Sequence, residues 1–543
     1  MPHYAAFDRE PCPMKLPAAW LCCLLSTALP AAAATVTVSG TVYQERDGRP
    51  GRGPTDPGLG GVQVSNGRDI VRTRADGRYR LPVEDGDTVF VIKPGDHRLM
   101  AGQDGLPAFW RHYHPQGSAA LKYRGIAPTT TPLAAYDFGL VADRGDSGKG
   151  FEMLVFADSQ TGNAREVGWY DQAIVQPLVG HTRARLGTTL GDVVNDDLSL
   201  YPLINKVTTR LGVPWFHVPG NHDLDFDAPD DARSVDSWRA AYGPDTYAVE
   251  EGGASFVFLD DVVYQPQATP KYIGGLREDQ FQFLQHYLQG LRRDRLLVLS
   301  MHIPLFDAAP GRETFRHADR ARLFALLKDF SNVLVLSGHS HTQQHYHHGA
   351  AEGWAGVRPL HEYNVGANCG AFWSGVAGPD GVPVSTMSDG TPKGYALLDV
   401  AGNGSYTLHY RVAGESPKTQ IGLHAPKVLR QGAYPAWGVF ANVYMGQDAT
   451  VVEYRVDGGA WQPMKQVRQP DPRLLVENAA DDMAEALRSF DRSPEATASP
   501  HLWRGALPTG LAEGEHRVDV RATQPDGQVH TASTRYALQR AEP

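Results

Sequence analysis

The hydrophobic and polar positions of this chain change rhythm twice. From Thr35 to about residue 145 they alternate singly, the period of a half-buried strand. TVTVSGTVY alternates, GVQVSNG ends in an Asn-Gly turn, and RTRADGRYRLPV sets Tyr79, Leu81 and Val83 opposite Arg78 and Arg80. Asp76-Gly77 is a hairpin signal, and DTVFVIKPG reads as a further strand. The pattern predicts a small β-sandwich over 35–145. Across 146–412, apolar runs alternate with helical periodicity. The runs end in polar residues at FEMLVFADSQ, RLGTTLGDVVND, PWFHVPGNHD, RLLVLSMHIP and NVLVLSGHSH. Leu276, Phe281, Leu284, Leu288 and Leu291 share one helical face. Leu323, Leu326, Leu327 and Phe330 share another, with Asn332 as its stop. Strand, helix, strand in succession predicts an α/β layered core whose site forms at the carboxyl ends of strands. After GYALLDV the alternation returns in VEYRVDGGAW and EHRVDVRA, predicting a mainly β domain over 415–543.

At 543 residues the chain exceeds what one core organises, in keeping with three segments. A net charge of −10 argues against nucleic acid as the main partner. It does not argue against anionic substrates, because bound cations reverse the local field. Residues 1–34 read differently from the rest. From Met14, an alternative start, MKLPAAWLCCLLSTALPAAAATVTV offers a lysine, an apolar stretch and a small-residue cleavage site ending at Ala34. That is the pattern of a secretory signal peptide. The run is too short, and too broken by Pro17 and Pro30, to make a membrane span. The expectation is a periplasmic or secreted protein without a membrane anchor. Cys12, Cys22 and Cys23 precede the cleavage point, so Cys369 would stand alone, with no intramolecular disulfide.

The five polar strand ends carry the candidate chemistry. They are Asp158 and Gln160; Gly191-Asp192; Gly220-Asn221-His222-Asp223; His302; and Gly338-His339-Ser340-His341. Singly, a Gly-Asp is a turn and a lone histidine a satisfied polar residue. Together they would bury many polar groups at a cost of several kcal/mol, on the order of what one unpaired group costs or more. Two divalent cations ~3.5–4 Å apart are a partner that offsets this. A bridging position needs a carboxylate between two positive charges, and Asp192 is the candidate. Asn221 can donate a neutral amide oxygen, and the two imidazoles of GHSH divide between the ions.

The set DSQ, GD, GNHD, MH and GHSH, in that order, resembles the calcineurin-like metallophosphoesterases, which show D-x-H, G-D, G-N-H-D/E, H and G-H-x-H. The resemblance covers residues 150 to about 400, while GTVYQERDG, GTPKGYALLDV and HLWRGALPTGL resemble the flanking β domains of a bacterial subgroup. It implies two mixed β-sheets packed as a sandwich and flanked by helices, and phosphoester hydrolysis by a bridging or metal-bound hydroxide. It also implies Asp158, Gln160, Asp192 and His341 around one ion, and Asp192, Asn221, His302 and His339 around the other. His222 is then a catalytic residue that binds a phosphate oxygen or protonates the leaving group. Asp223, grouped with it, and Asp196 are candidates for orienting ligands, or else turn residues. The chain departs from the family at Gln160, where histidine is usual. An amide oxygen favours manganese first, or magnesium, with zinc and ferrous iron as further candidates. No tyrosine follows the GD motif, which speaks against a tyrosinate-bound ferric ion.

The reading is a binuclear phosphoester hydrolase, monoester or diester, acting on a phosphorylated small molecule, phosphoprotein or phosphodiester. The alternative is an envelope binding or scaffold protein with a degenerate metal site, for which Gln160 is the supporting feature. Arg312 in the loop after His302 is placed to approach phosphate or to sit in an exposed lid. The segment NVGANCGAFWSG brings Gly370, Phe372 and Trp373 to the cleft or packs as a turn, and Cys369 reads as a small packed residue.

Overall fold

The computed structural model describes residues 35–48, 51–143, 150–309 and 311–541; the signal peptide read at 1–34 lies outside the described residues. No helix among the described residues is long and apolar enough to cross a membrane.

The alternation of the first segment folds as two four-stranded sheets. One runs Arg78–Val83, Val36–Glu45, Phe138–Ala142, His97–Leu99, and the other Ile70–Arg72, Gln63–Ser65, Asp87–Val91, Trp110–Tyr113. Tyr79, Leu81 and Val83 are buried and their neighbours exposed, as the pleat requires. This sandwich shares its core with the middle segment. Phe90 meets Phe283 at 6.0 Å between ring centroids, Phe109 meets Tyr247 at 5.4 Å, and Lys93 pairs with Glu251 at 2.9 Å in a buried ion pair.

The middle segment is an α/β sandwich of two mixed sheets, as the resemblance implies. The first sheet runs Trp215–Val218, Leu186–Leu190, Phe151–Phe156, Gly394–Val400, Tyr406–Val412. Its first three strands are parallel and its last two antiparallel. The second runs Thr246–Glu251, Ala254–Leu259, Leu296–Ser300, Val333–Ser337, Leu360–Asn364, Gln344–His348, with parallel pairing in its centre. Phe151 against Phe256 and Phe216 against Phe258, at 6.0 and 5.5 Å, join the two sheets. Strands buried on both faces need continuous apolar runs, which is why VLVLS and LLVLS show no alternation.

Helix Glu278–Gln289 buries Phe281, Leu284 and Leu288 from the expected face. Helix His317–Leu327 buries Leu323 and Leu327 with Phe324, while Leu326 is only half-buried, so that stripe is rotated from the one the spacing predicts. The last segment has its own core between a four-stranded and a five-stranded sheet. It also carries a helix, Pro472–Asp482, absent from the sequence reading; Asp471 caps it by accepting from the Arg473 amide.

Candidate active site

The polar ends of five strands converge, and three of those strands are followed by residues in a left-handed conformation that redirects their side chains. Asp158, Gln160, Asp192, Asp196, His339 and His341 all have positive φ, between 43° and 69°. Non-glycine residues in this region are strained, and such strain gathers where a site over-determines it. The motif glycines permit the close approach. A Cβ at Gly191 would lie 2.5 Å from His302 Nδ1, and one at Gly338 would lie 2.7 Å from Asp158 Oδ2. At Gly220 it would overlap the Asp192 amide and carboxylate.

Two groups of donors share Asp192. Ligand atoms of Asp192, His302 and His339 lie within 4.8 Å of one another, as do those of Asp158, Asp192 and His341. His302 is buried, and its Nδ1–H donates to the Leu190 carbonyl at 2.8 Å, which turns Nε2 toward the other candidate ligands. Nε2 faces Asn221 Oδ1 at 3.0 Å, His339 Nδ1 at 3.2 Å and Asp192 Oδ1 at 3.4 Å. Oxygen and nitrogen acceptors gathered this tightly call for a cation. The same demand shows in the His302 imidazole. Burial lowers its pKa, yet Asp192 and Asp158 outweigh burial and hold it up to about 10.

In the other group, His341 Nε2 lies 3.6 Å from Asp158 Oδ1. The Asp158 carboxylate accepts the His339 amide at 3.0 and 3.1 Å, tying the first strand end to the last. Gln160 donates from Nε2 to Asp192 Oδ2 at 3.0 Å. Turning that amide over exchanges Nε2 for Oε1 and presents an oxygen at the same place. The donor set therefore fits two divalent ions: carboxylate, imidazole and amide oxygen, with one shared carboxylate.

His222 stands apart from both groups. Its amide donates to Asp192 Oδ1 at 2.9 Å, and its Nδ1 meets Asp196 Oδ1 at 2.8 Å. Burial lowers its pKa while Asp192 and Asp196 more than restore it, so the net shift is upward. About a quarter of the side chain is exposed, so the ring is open to an incoming molecule. Asp223 is fully buried and faces the backbone. It accepts from the amides of Gly220 and Val193 and from the Tyr201 hydroxyl, at 2.9, 3.1 and 3.0 Å. Burial and Asp192 push its pKa up to about 7 against those donors. Its geometry is that of a residue holding the GD and GNHD turns together.

Asp261 was not singled out by the sequence. It accepts the amides of His302 and Ile303 at 3.0 and 2.9 Å and so fixes the turn that presents His302. Its only signal was a second aspartate in the otherwise apolar stretch FLDDVVY. Arg312 is exposed. Cys369 is buried, its Sγ 3.7 Å from Gln160 Oε1. Trp373 is buried with its Nε1–H on the Ser159 carbonyl at 3.0 Å, and Phe372 lies against the His341 ring at 4.6 Å.

Three family models match the chain. That for the N terminal of calcineurin-like phosphoesterase covers residues 50–124, that for calcineurin-like phosphoesterase 162–343, and that for its C terminal 362–530. Asp192, Asn221, His222, His302, His339 and His341 fall within the middle match, and Asp158 and Gln160 lie just before it. Similar solved structures include a dimetal phosphatase from Danio rerio, 14% identical, covering 48% of this chain and 98% of its own, with a TM-score of 0.30. PhoD is 11% identical over 76% of this chain and 85% of its own, with a TM-score of 0.34. The purple acid phosphatase PPD1 from yellow lupin (Lupinus luteus) seeds is 12% identical over 70% and 72%, with a TM-score of 0.36. None of the curated proteins matches the chain.

Proposed function

We propose, for a chain that belongs to the calcineurin-like phosphoesterases, that it hydrolyses phosphoesters with two divalent ions, for which Asp192 would be a shared ligand. The observation that carries this is the sharing of Asp192 by two separate donor groups. Asp158, Gln160 and His341 would complete one site, and Asn221, His302 and His339 the other. When bound, the ions supply a water of lowered pKa and offset phosphoryl charge. The protein's own part is positional. Asp196 on Nδ1 fixes the His222 ring so that Nε2 can donate to a phosphoryl oxygen or to the departing alkoxide. Asp223 and Asp261 act through the turns they brace and touch no reacting atom. Manganese is the metal that the oxygen-rich set with Gln160 favours.

The test uses the mature chain loaded with Mn2+. Two ions per chain are expected, with kcat/KM measurable on p-nitrophenyl phosphate or bis(p-nitrophenyl) phosphate; the ratio assigns monoester or diester preference. His222→Ala should keep both ions and lose about 10²–10⁴ in kcat, the range of one general acid. Fewer than two ions in the wild type, or an undiminished variant, would overturn the reading.

A further inference from the structure

The segment Asn368–Ser374 is held unusually hard. Phe372 and Trp373 both have positive φ, 56° and 55°, in consecutive non-glycine residues. The Ser385 hydroxyl accepts the amides of Ala371 and Ser374, both at 3.2 Å, and donates to the Cys369 carbonyl. Gly370 admits no side chain, because a Cβ there would overlap the Ser385 carbonyl. Trp373 is buried, and its indole is tied to Ser159. What all this fixes in place is the Phe372 ring, which is 53% exposed and lies 4.6 Å from the His341 imidazole, tilted 31°. An exposed phenyl ring on this backbone adds little burial to offset the cost of its left-handed conformation. Beside His339, the other imidazole of the same motif, stands a second ring: half-buried Tyr272, edge-on at 5.9 Å.

Resting on the reading of this site as a phosphoesterase centre, we propose that Phe372 is a specificity-determining residue that receives an aromatic ring on the alcohol arm of the phosphoester. Stacking against an aromatic face selects flat rings over alkyl chains and needs no hydrogen-bonding groups. The substrate class is therefore aryl or nucleoside phosphoesters, with the ring at the rim beside His341 and the phosphoryl group over the donor cluster.

The experiment compares phenylphosphonate with ethylphosphonate, neither of which can be hydrolysed at its P–C bond, by titration calorimetry on the Mn2+-loaded full chain. Phe372→Ala should weaken phenylphosphonate about tenfold and ethylphosphonate less than twofold, with two ions still bound. Phe372→Tyr should restore the preference, and Phe372→Leu, equally apolar but without a ring, should not. For hydrolysis, kcat/KM for phenyl phosphoesters should fall through KM, with kcat kept. Equal weakening of both phosphonates, or loss of an ion, would overturn the proposal and leave Phe372 as a cover for His341. If the phosphonate preference follows Phe372 but no phosphoester is turned over, the hydrolytic reading fails while the ring subsite stands.

Discussion

At the scale of single residues, the site depends as much on absent side chains as on ligands. Gly338 does not have positive φ, so its requirement is spatial: a Cβ would press on Asp158 Oδ2 at 2.7 Å and Ala157 Cβ at 3.2 Å. Gly338→Ala should therefore displace the Asp158 carboxylate, which also holds the His339 amide. Overpacking of this kind costs about 1–3 kcal/mol of stability. The larger effect should be functional, a fall below two bound Mn2+ and a loss of turnover, read by metal analysis alongside a melting curve. Full metal content in the variant would show that the glycine is not needed for approach. The candidate ligands could be picked out of the sequence because their types and order form a pattern no turn explains. Asp261 could not, since a carboxylate pair in an otherwise apolar stretch has the same sequence appearance whether one of them braces a turn or both face water. The same ambiguity left Asp223 and Asp196 open, and only the direction of their carboxylates separates a brace from a ring-orienter.

Elements carry the next level, and there the sequence showed periodicity but not the joints. The strands and the helices around Leu284 and Leu323 were readable from spacing. The rotation of the second helix onto Phe324 was not, because FALL offers two adjacent apolar stripes and the neighbouring sheet chooses between them. Arg277 is such a joint. It stands at the start of helix Glu278–Gln289 and donates to Asp260 at 2.5 Å and Asp245 at 2.9 Å, with Asp245 also held by Arg239. The three elements it clamps are the helix, the start of the strand Thr246–Glu251 and the end of Ala254–Leu259, just past which Asp260 precedes Asp261. Removing one partner of a buried charge network leaves the others uncompensated, typically at a cost of about 3–5 kcal/mol. Arg277→Ala should destabilise by that order in denaturant unfolding. Lys in its place should recover only part, because it cannot span two carboxylates in a planar fork. A loss under about 1 kcal/mol would show the network to be solvated rather than structural.

Across the whole molecule, the first and last segments contact residues that hold the site. Tyr123 of the first segment donates to the Asp196 carbonyl at 2.8 Å, behind the carboxylate that meets His222. On the other side, Gln343, two residues past His341, donates to the Tyr444 carbonyl at 2.7 Å. Its amide meets Asp389, which is paired with His501 at 3.2 Å. These contacts join residues far apart in the chain, so local pattern could divide the segments but not show their engagement. The shared first core has a consequence for acid stability. His217 is 4% exposed, its ring lies 4.2 Å from Tyr242, and neither ring nitrogen has a partner among the described residues. Burial pulls its pKa down to about 3, and the half-buried His112 nearby is pulled to about 4 by the same cause. An unfolded histidine titrates near ~6.5, so between that pH and the folded value the unfolded chain binds the extra protons. Stability from these two groups is complete above about pH 6.5 and is lost as pH falls, at ~1.4 kcal/mol per pH unit for each at full slope. His217→Phe keeps a ring in the same apolar setting and removes one titration. The stability gained by that variant over the wild type should therefore grow as pH drops from 7 to 5, by about 2 kcal/mol for one group. Carboxylates elsewhere titrate alike in both proteins and cancel in the difference. Parallel pH profiles for the two would mean that His217 already reaches water in the native state.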